Sequence, residues 1–229
     1  MWLKQKLARR AHASLIRLFE KNQTRAPYAP DGEQVGQRSL KNACLALLAT
    51  LEEDGPHFAQ QQYEEADNLT DRLAALAALT HNQCAGADEA IADFDKRYRC
   101  QPLVIDKWFA LQAMSPNGTA LPRIKELMRH PMFSITNPNR IRALVGSFAT
   151  GNPSQFHRLD GAGYQFVTKL VIELDEINPQ VAARLLTSFS AWKQLEPKRR
   201  EKAERALKRI AHLADLSNDV RDIIQRTLV

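Results

Sequence analysis

Cysteine is scarce in this sequence of 229 residues: there are three, at Cys44, Cys84 and Cys100. An odd number at such wide spacing leaves no CxxC pair and no disulfide framework, so all three are expected as free thiols packed like small hydrophobes. Long apolar runs are missing too. Nothing approaches the ~20 residues that cross a bilayer, and the opening Met1-Trp-Leu-Lys-Gln-Lys lacks the apolar centre of a secretory signal. The expectation is a cytoplasmic chain with no membrane partner. Histidines are sparse: His12, His57, His81, His130, His157 and His212 are never closer than 24 residues, which removes the HExxH helix that brings two imidazoles to one zinc. A GxSxG elbow, a GxxxxGK phosphate loop and a GxGxxG turn are likewise absent. Carboxylate pairs such as Glu52-Glu53 and Glu64-Glu65 sit in polar stretches without apolar walls to raise a pKa. No residue is assigned a catalytic role, and no cofactor is expected in this chain.

Hydrophobic residues make up 44% and charged residues 25%, an ordinary globular composition that excludes disordered and collagenous classes. The net charge of +6 is unevenly placed. Residues 1–25 carry seven basic and one acidic side chain, residues 193–209 carry eight and three, and residues 26–192 carry fifteen and nineteen. Basic blocks of this kind read as solvated helix faces, so no nucleic-acid partner is expected. On the run from Lys198 to Arg209, Glu201 and Glu204 are spaced for pairs with Arg200 or Lys208.

Apolar residues recur at three- and four-residue steps, and no alternation bounded by hairpin turns occurs, so the fold class is all-α without a sheet. An opening amphipathic helix presents Leu3, Leu7, Ala11, Leu15, Leu18 and Phe19 on one face, a stripe that needs a neighbour. A second runs through Leu40, Ala43, Cys44, Leu47, Leu48 and Leu51 to the breaker Asp54-Gly-Pro. Further helices are predicted near residues 57–66, 69–81, 87–99, 103–114, 121–130, 138–149, 162–177, 179–192, 197–213 and 218–228. Roughly a dozen short helices with short connections suit stacked antiparallel pairs, and the economical architecture is an α-solenoid, a HEAT-like superhelix forming one domain over residues 1–229. An internal repeat supports it. Asn137-Pro-Asn-Arg-Ile-Arg-Ala-Leu-Val-Gly-Ser-Phe and Asn178-Pro-Gln-Val-Ala-Ala-Arg-Leu-Leu-Thr-Ser-Phe lie 41 residues apart and coincide at five of twelve positions. Trp108 and Phe109 read as core anchors, and Asp160-Gly-Ala-Gly-Tyr164, which follows no predicted strand, reads as a tight turn between helices.

Both copies of the repeat start with an Asn cap and Pro at the first helical position. The first turn of a helix favours negative side chains, yet Arg140 and Arg142 follow the first cap and Gln180 and Arg184 follow the second. Two readings are open. Helix N–H groups and arginine forks together would take a carboxylate or phosphate; alternatively, these arginines form salt bridges to the chain's own acids. Asn152-Pro153 is a third start of this type, followed by Gln155, His157 and Arg158, and would extend the same surface.

Five strings in order, Leu40-Lys-Asn-Ala-Cys-Leu, Asn68-Leu-Thr-Asp-Arg-Leu-Ala-Ala-Leu, Asp106-Lys-Trp-Phe with Gln112-Ala, Asn137-Pro-Asn-Arg-Ile-Arg and Asn178-Pro-Gln-Val-Ala-Ala-Arg, resemble the C-terminal helical domain of bacterial aminopeptidase N. The resemblance runs from about residue 38 to the end; residues 1–37 match only in being helical. It implies a piece of a larger zinc-dependent hydrolase that removes N-terminal amino acids from peptides. The zinc and its HExxH ligands are then expected in a separate catalytic domain of the same polypeptide. In that family the helical domain closes over the catalytic chamber and meets the peptide beyond the scissile bond, and matching motifs carry this substrate-binding role to Arg142, Gln180 and Arg184. The competing reading is a free-standing helical-repeat scaffold that binds a protein partner.

Overall fold

The computed structural model describes residues 2–24 and 26–229. Met1 and Arg25, both in the basic opening segment, lie outside them. The chain divides into two compact units, Met1–Arg99 and Cys100–Val229. Helices make up the regular structure of both, and the described residues contain no strand.

The first unit comprises α1 (Trp2–Arg10), α2 (His12–Lys21), α3 (Gly32–Leu48), α4 (Gly55–Glu65), α5 (Leu69–Asn82) and α6 (Ala87–Tyr98). Polar side chains set the starts: Asp31 caps α3 through the Gln34 N–H, and Asn68 caps α5 through the Asp71 N–H. The long α3 packs against α1, α2, α4 and α5 around Phe19, Leu45, Leu48, Leu76 and Leu79. The opening helix expected as one stripe is two, broken at Ala11. Ala8, Leu15 and Phe19 are buried, but Leu3 and Leu7 are 72% and 52% exposed, because α1 meets α3 only along its Ala8 face. In α3 the buried face is also rotated from the expected one. Gln34, Arg38, Lys41, Cys44, Leu45 and Leu48 point inward, whereas Leu40 and Ala43 are exposed, so the first half of this face is polar.

The second unit holds α7 (Pro102–Ala113), α8 (Ala120–Leu127), α9 (Pro138–Ile141), a π turn (Arg142–Gly146) that leads without interruption into α10 (Ser147–Gly151), then α11 (Pro153–Phe156), α12 (Ala162–Ile177), α13 (Pro179–Leu186), α14 (Pro197–Ala211) and α15 (Asn218–Leu228). Trp108 and Phe109 are buried, as the core reading requires. The repeat is visible in the packing: each copy ends by burying its phenylalanine, Phe148 or Phe189, and both rings stand edge-on to Phe156. The helix expected over 179–192 stops at Leu186. There the Thr187 and Ser188 hydroxyls donate to the carbonyls of Arg184 and Leu185 at 2.7 and 2.8 Å, and the chain tightens into a 3₁₀ turn, Thr187–Phe189. On α14, Glu204 pairs with Lys208 rather than Arg200, and Glu201 pairs with Arg205.

Beside Phe156, the His157 ring shares a 2.9 Å hydrogen bond with the hydroxyl of buried Tyr164. Burial, reinforced by the Arg199 charge, lowers the His157 pKa from 6.5, and burial raises that of Tyr164 to about 12. A histidine whose folded pKa is depressed contributes stability that is fully present above its unfolded value and lost as pH falls through the folded one. Unfolding titrations between pH 7 and pH 4 should therefore show a fall in stability that His157→Gln flattens; an unchanged slope in that variant would assign the acid sensitivity elsewhere.

Candidate functional site

The rod formed by α9, the π turn and α10 lies beside α13 across a groove of about 650 Å³. Ile141, Arg142, Gly146, Ser147 and Thr150 form one wall, and Gln180, Val181, Arg184, Leu185 and Thr187 form the other. All three residues singled out as substrate-binding candidates, Arg142, Gln180 and Arg184, thus line one concavity. Each is exposed, and each belongs to a helix whose opposite face is locked into the core by Leu144 and Val145 or by Ala182 and Leu186.

Local sequence explains the placement. Asn137 and Asn178 cap their helices by accepting from the N–H of Asn139 and Val181 at 3.0 and 3.2 Å, with Pro138 and Pro179 at the first helical position. These caps occupy N–H groups that the anion reading had left open, so the cationic character of the groove rests on its arginines. The π turn is a wider coil than the α-helices on either side. The Ser147 hydroxyl lies 3.5 Å from the Arg142 carbonyl and the Thr150 hydroxyl donates to the Gly146 carbonyl at 2.8 Å. The sequence around Arg142-Ala-Leu-Val-Gly carries no signal for this turn.

Electrostatically the groove has one sign. Its lining contains two arginines, an amide and three hydroxyls, and no acidic residue. The Arg142 guanidinium makes a single long bond, 3.4 Å to Asn139 Oδ1. Neither Arg142 nor Arg184 forms an ion pair with a described carboxylate. For these two the salt-bridge reading fails, and their forks are available to a ligand.

For Arg140 it holds. This side chain is 4% exposed, pairs with Asp106 of α7, and donates to the carbonyls of Met132 and Pro102 at 2.8 and 3.2 Å. Its orientation follows from helix geometry: two residues on the same helix are about 200° apart around the axis, so Arg140 and Arg142 face opposite ways. The third Asn-Pro start does not join the groove either. Asn152 is buried and donates to the carbonyl of Ala113 at 3.0 Å, Gln155 donates to that of Pro116 at 3.1 Å, and Arg158 forks onto Asp160. That fork, with the Ala162 N–H, holds the Asp160 carboxyl at about 2. The tight turn expected over Asp160–Tyr164 lies slightly earlier, at Arg158–Gly161, where the Gly161 N–H donates to the Arg158 carbonyl at 3.0 Å and Gly161 is in the left-handed region at φ 76°; Ala162, Gly163 and Tyr164 already belong to α12. No cluster of three or more His, Cys, Asp or Glu side chains able to hold a metal ion occurs among the described residues, so this set of residues does not fit a zinc site.

Comparison with known proteins follows the same outline. The family described as "Domain of unknown function (DUF3458_C) ARM repeats" matches over residues 1–229. Aminopeptidase N of Escherichia coli K12 is 38% identical over 230 residues, covering 99% of this chain and 26% of that protein. Aminopeptidase N of Haemophilus influenzae is 40% identical over 201 residues, 88% of this chain and 23% of that protein. Among solved structures, that of Legionella pneumophila aminopeptidase A in complex with aspartic acid superposes with a TM-score of 0.89 at 32% identity, over 99% of this chain and 28% of that one. The chain therefore spans about a quarter of the length of these relatives. The similarity also extends through residues 1–37, beyond the limit near residue 38 that the motifs suggest.

Proposed function

Because the chain belongs to the DUF3458_C ARM-repeat family, we propose that it is the C-terminal helical domain of a zinc-dependent aminopeptidase, which encloses the catalytic chamber and holds the peptide beyond its scissile bond. The observation that carries this reading is the convergence of Arg142, Gln180 and Arg184, from two separate helix starts, on one acid-free groove. A short peptide presents a free C-terminal carboxylate to such a surface. The planar forks of Arg142 and Arg184 match it in the bidentate mode, and the Gln180 amide supplies a donor and an acceptor for the adjoining peptide group. Val181 and Leu185 give the groove an apolar wall, and the Ser147, Thr150 and Thr187 hydroxyls keep lone pairs for peptide N–H groups. The bond-breaking chemistry belongs to the separate catalytic domain with its zinc, since the described residues of this chain provide no ligand set for the metal. Their part is orientation.

In the full-length polypeptide, Arg184→Ala should lower kcat/KM for a free-acid tripeptide by about tenfold to a hundredfold, the worth of a charge-assisted hydrogen bond. The same peptide with an amidated C-terminus, and an aminoacyl reporter with no peptide carboxylate, should each change less than about twofold. Equal losses on all three substrates would remove the carboxylate role.

A further inference from the structure

A second cavity, of about 230 Å³, lies wholly within the first unit, among α2, α3, α4 and the start of α5. It lies against the polar half of the α3 face. Arg38 and Lys41, each 4% exposed, belong to its lining. Lys41 is neutralised: its ammonium sits 2.7 Å from Asp71, whose carboxylate also accepts from Asn42 and Asn68 at 2.9 and 3.0 Å. Arg38 has no such counter-charge. Its guanidinium donates to Gln34 Oε1 and to the Ala29 carbonyl, both at 2.9 Å, and lies over the Tyr28 ring, and it forms no ion pair with a described carboxylate. A buried ion without an opposite charge is among the least favourable arrangements in a protein interior, and an anion placed against it relieves the penalty.

One more feature narrows the ligand. The mouth has the opposite sign to the floor, because the lining residues Glu65 and Asp67 are exposed. A simple anion would be repelled at the mouth and a simple cation at the floor. A small zwitterion meets neither obstacle.

We propose that this cavity binds a free α-amino acid, with the carboxylate on Arg38 and the ammonium directed to the exposed carboxylates of Glu65 and Asp67. The volume suits it, since a cavity of ~150 Å³ already holds benzene. The cavity shares no lining residue with the groove, so this binding is independent of the peptide-carboxylate role.

Equilibrium dialysis of labelled L-alanine against the full-length polypeptide tests the site, with acetate and ethylammonium as competitors that carry only one of its charges. Saturable binding is expected, weakened at least about tenfold by Arg38→Gln and about threefold by Asp67→Asn, whose exposed position leaves the core intact. Arg184→Ala, in the groove, should leave it unchanged. The proposal is overturned by any of three results: no saturable binding, saturable binding that Arg38→Gln leaves unchanged and that therefore resides elsewhere, such as the catalytic domain, or competition by acetate as strong as that by unlabelled alanine.

Discussion

Arg140→Met is expected to lower the free energy of unfolding by about 3–5 kcal/mol, whereas Arg142→Met, two residues along the same rod, should change it by no more than about 0.5 kcal/mol. At position 140 the guanidinium is enclosed, paired with Asp106 and bonded to two carbonyls. Removing it strands a carboxylate whose side chain is only 18% exposed, together with the carbonyls of Met132 and Pro102, and each loses its partner without regaining water. For a chain of this size such a loss moves the thermal midpoint by on the order of 10 °C. Arg142 meets only Asn139, on the surface, and its removal leaves nothing buried unsatisfied. On the proposed role, the same pair should separate in the opposite sense for peptide hydrolysis by the full-length polypeptide: Arg142→Met should slow turnover of free-acid peptides while its fold persists. Chemical denaturation of the two variants decides the matter, and similar unfolding energies would show that the Arg140–Asp106 pair does not hold the rod to α7.

Gly163→Ala is expected to cost about 3 kcal/mol, near the upper end of overpacking effects. A Cβ at this position would stand 2.3 Å from the Phe156 carbonyl oxygen and 2.7 Å from that of Gln155. Both obstacles are backbone, so no side chain can rotate aside, and α12 must move away from α11. Since α12 packs on α13, which carries Gln180 and Arg184, the displacement should also weaken free-acid peptide substrates. Gly36→Ala is the control. A Cβ there meets nothing within 4 Å and the residue lies inside α3, so alanine should stabilise by about 0.5–1 kcal/mol. If both variants unfold at the same denaturant concentration, the close approach of α11 and α12 is not the constraint described here.

Helix starts were readable because they are local. Asn followed by Pro specifies a cap from local chemistry, and Asn137 and Asn178 both cap where the sequence places them. Helix ends and interruptions were less readable. The stop at Leu186 depends on two hydroxyls competing with the helix for carbonyls, and the turn at Arg142–Gly146 has no composition of its own. The candidate site was read in part. The repeat and the resemblance point to Arg142, Gln180 and Arg184, but no local signal marks the cavity lined by Arg38, since Arg38 and Lys41 look in the sequence like any exposed basic pair on a helix.

By itself the sequence determined the all-helical class, the caps, and the set of basic residues from which a binding surface had to be drawn, because each depends on chemistry within a few neighbouring residues. Only the tertiary structure decided which arginine does what. Arg140, Arg142 and Arg184 are the same side chain near the same kind of helix start. One faces a carboxylate on α7 and is buried, and two face a groove without acids. That division depends on the rotation of each helix against its neighbours, and side chains far apart in the chain, Asp106 on one side and Val181 on the other, set it.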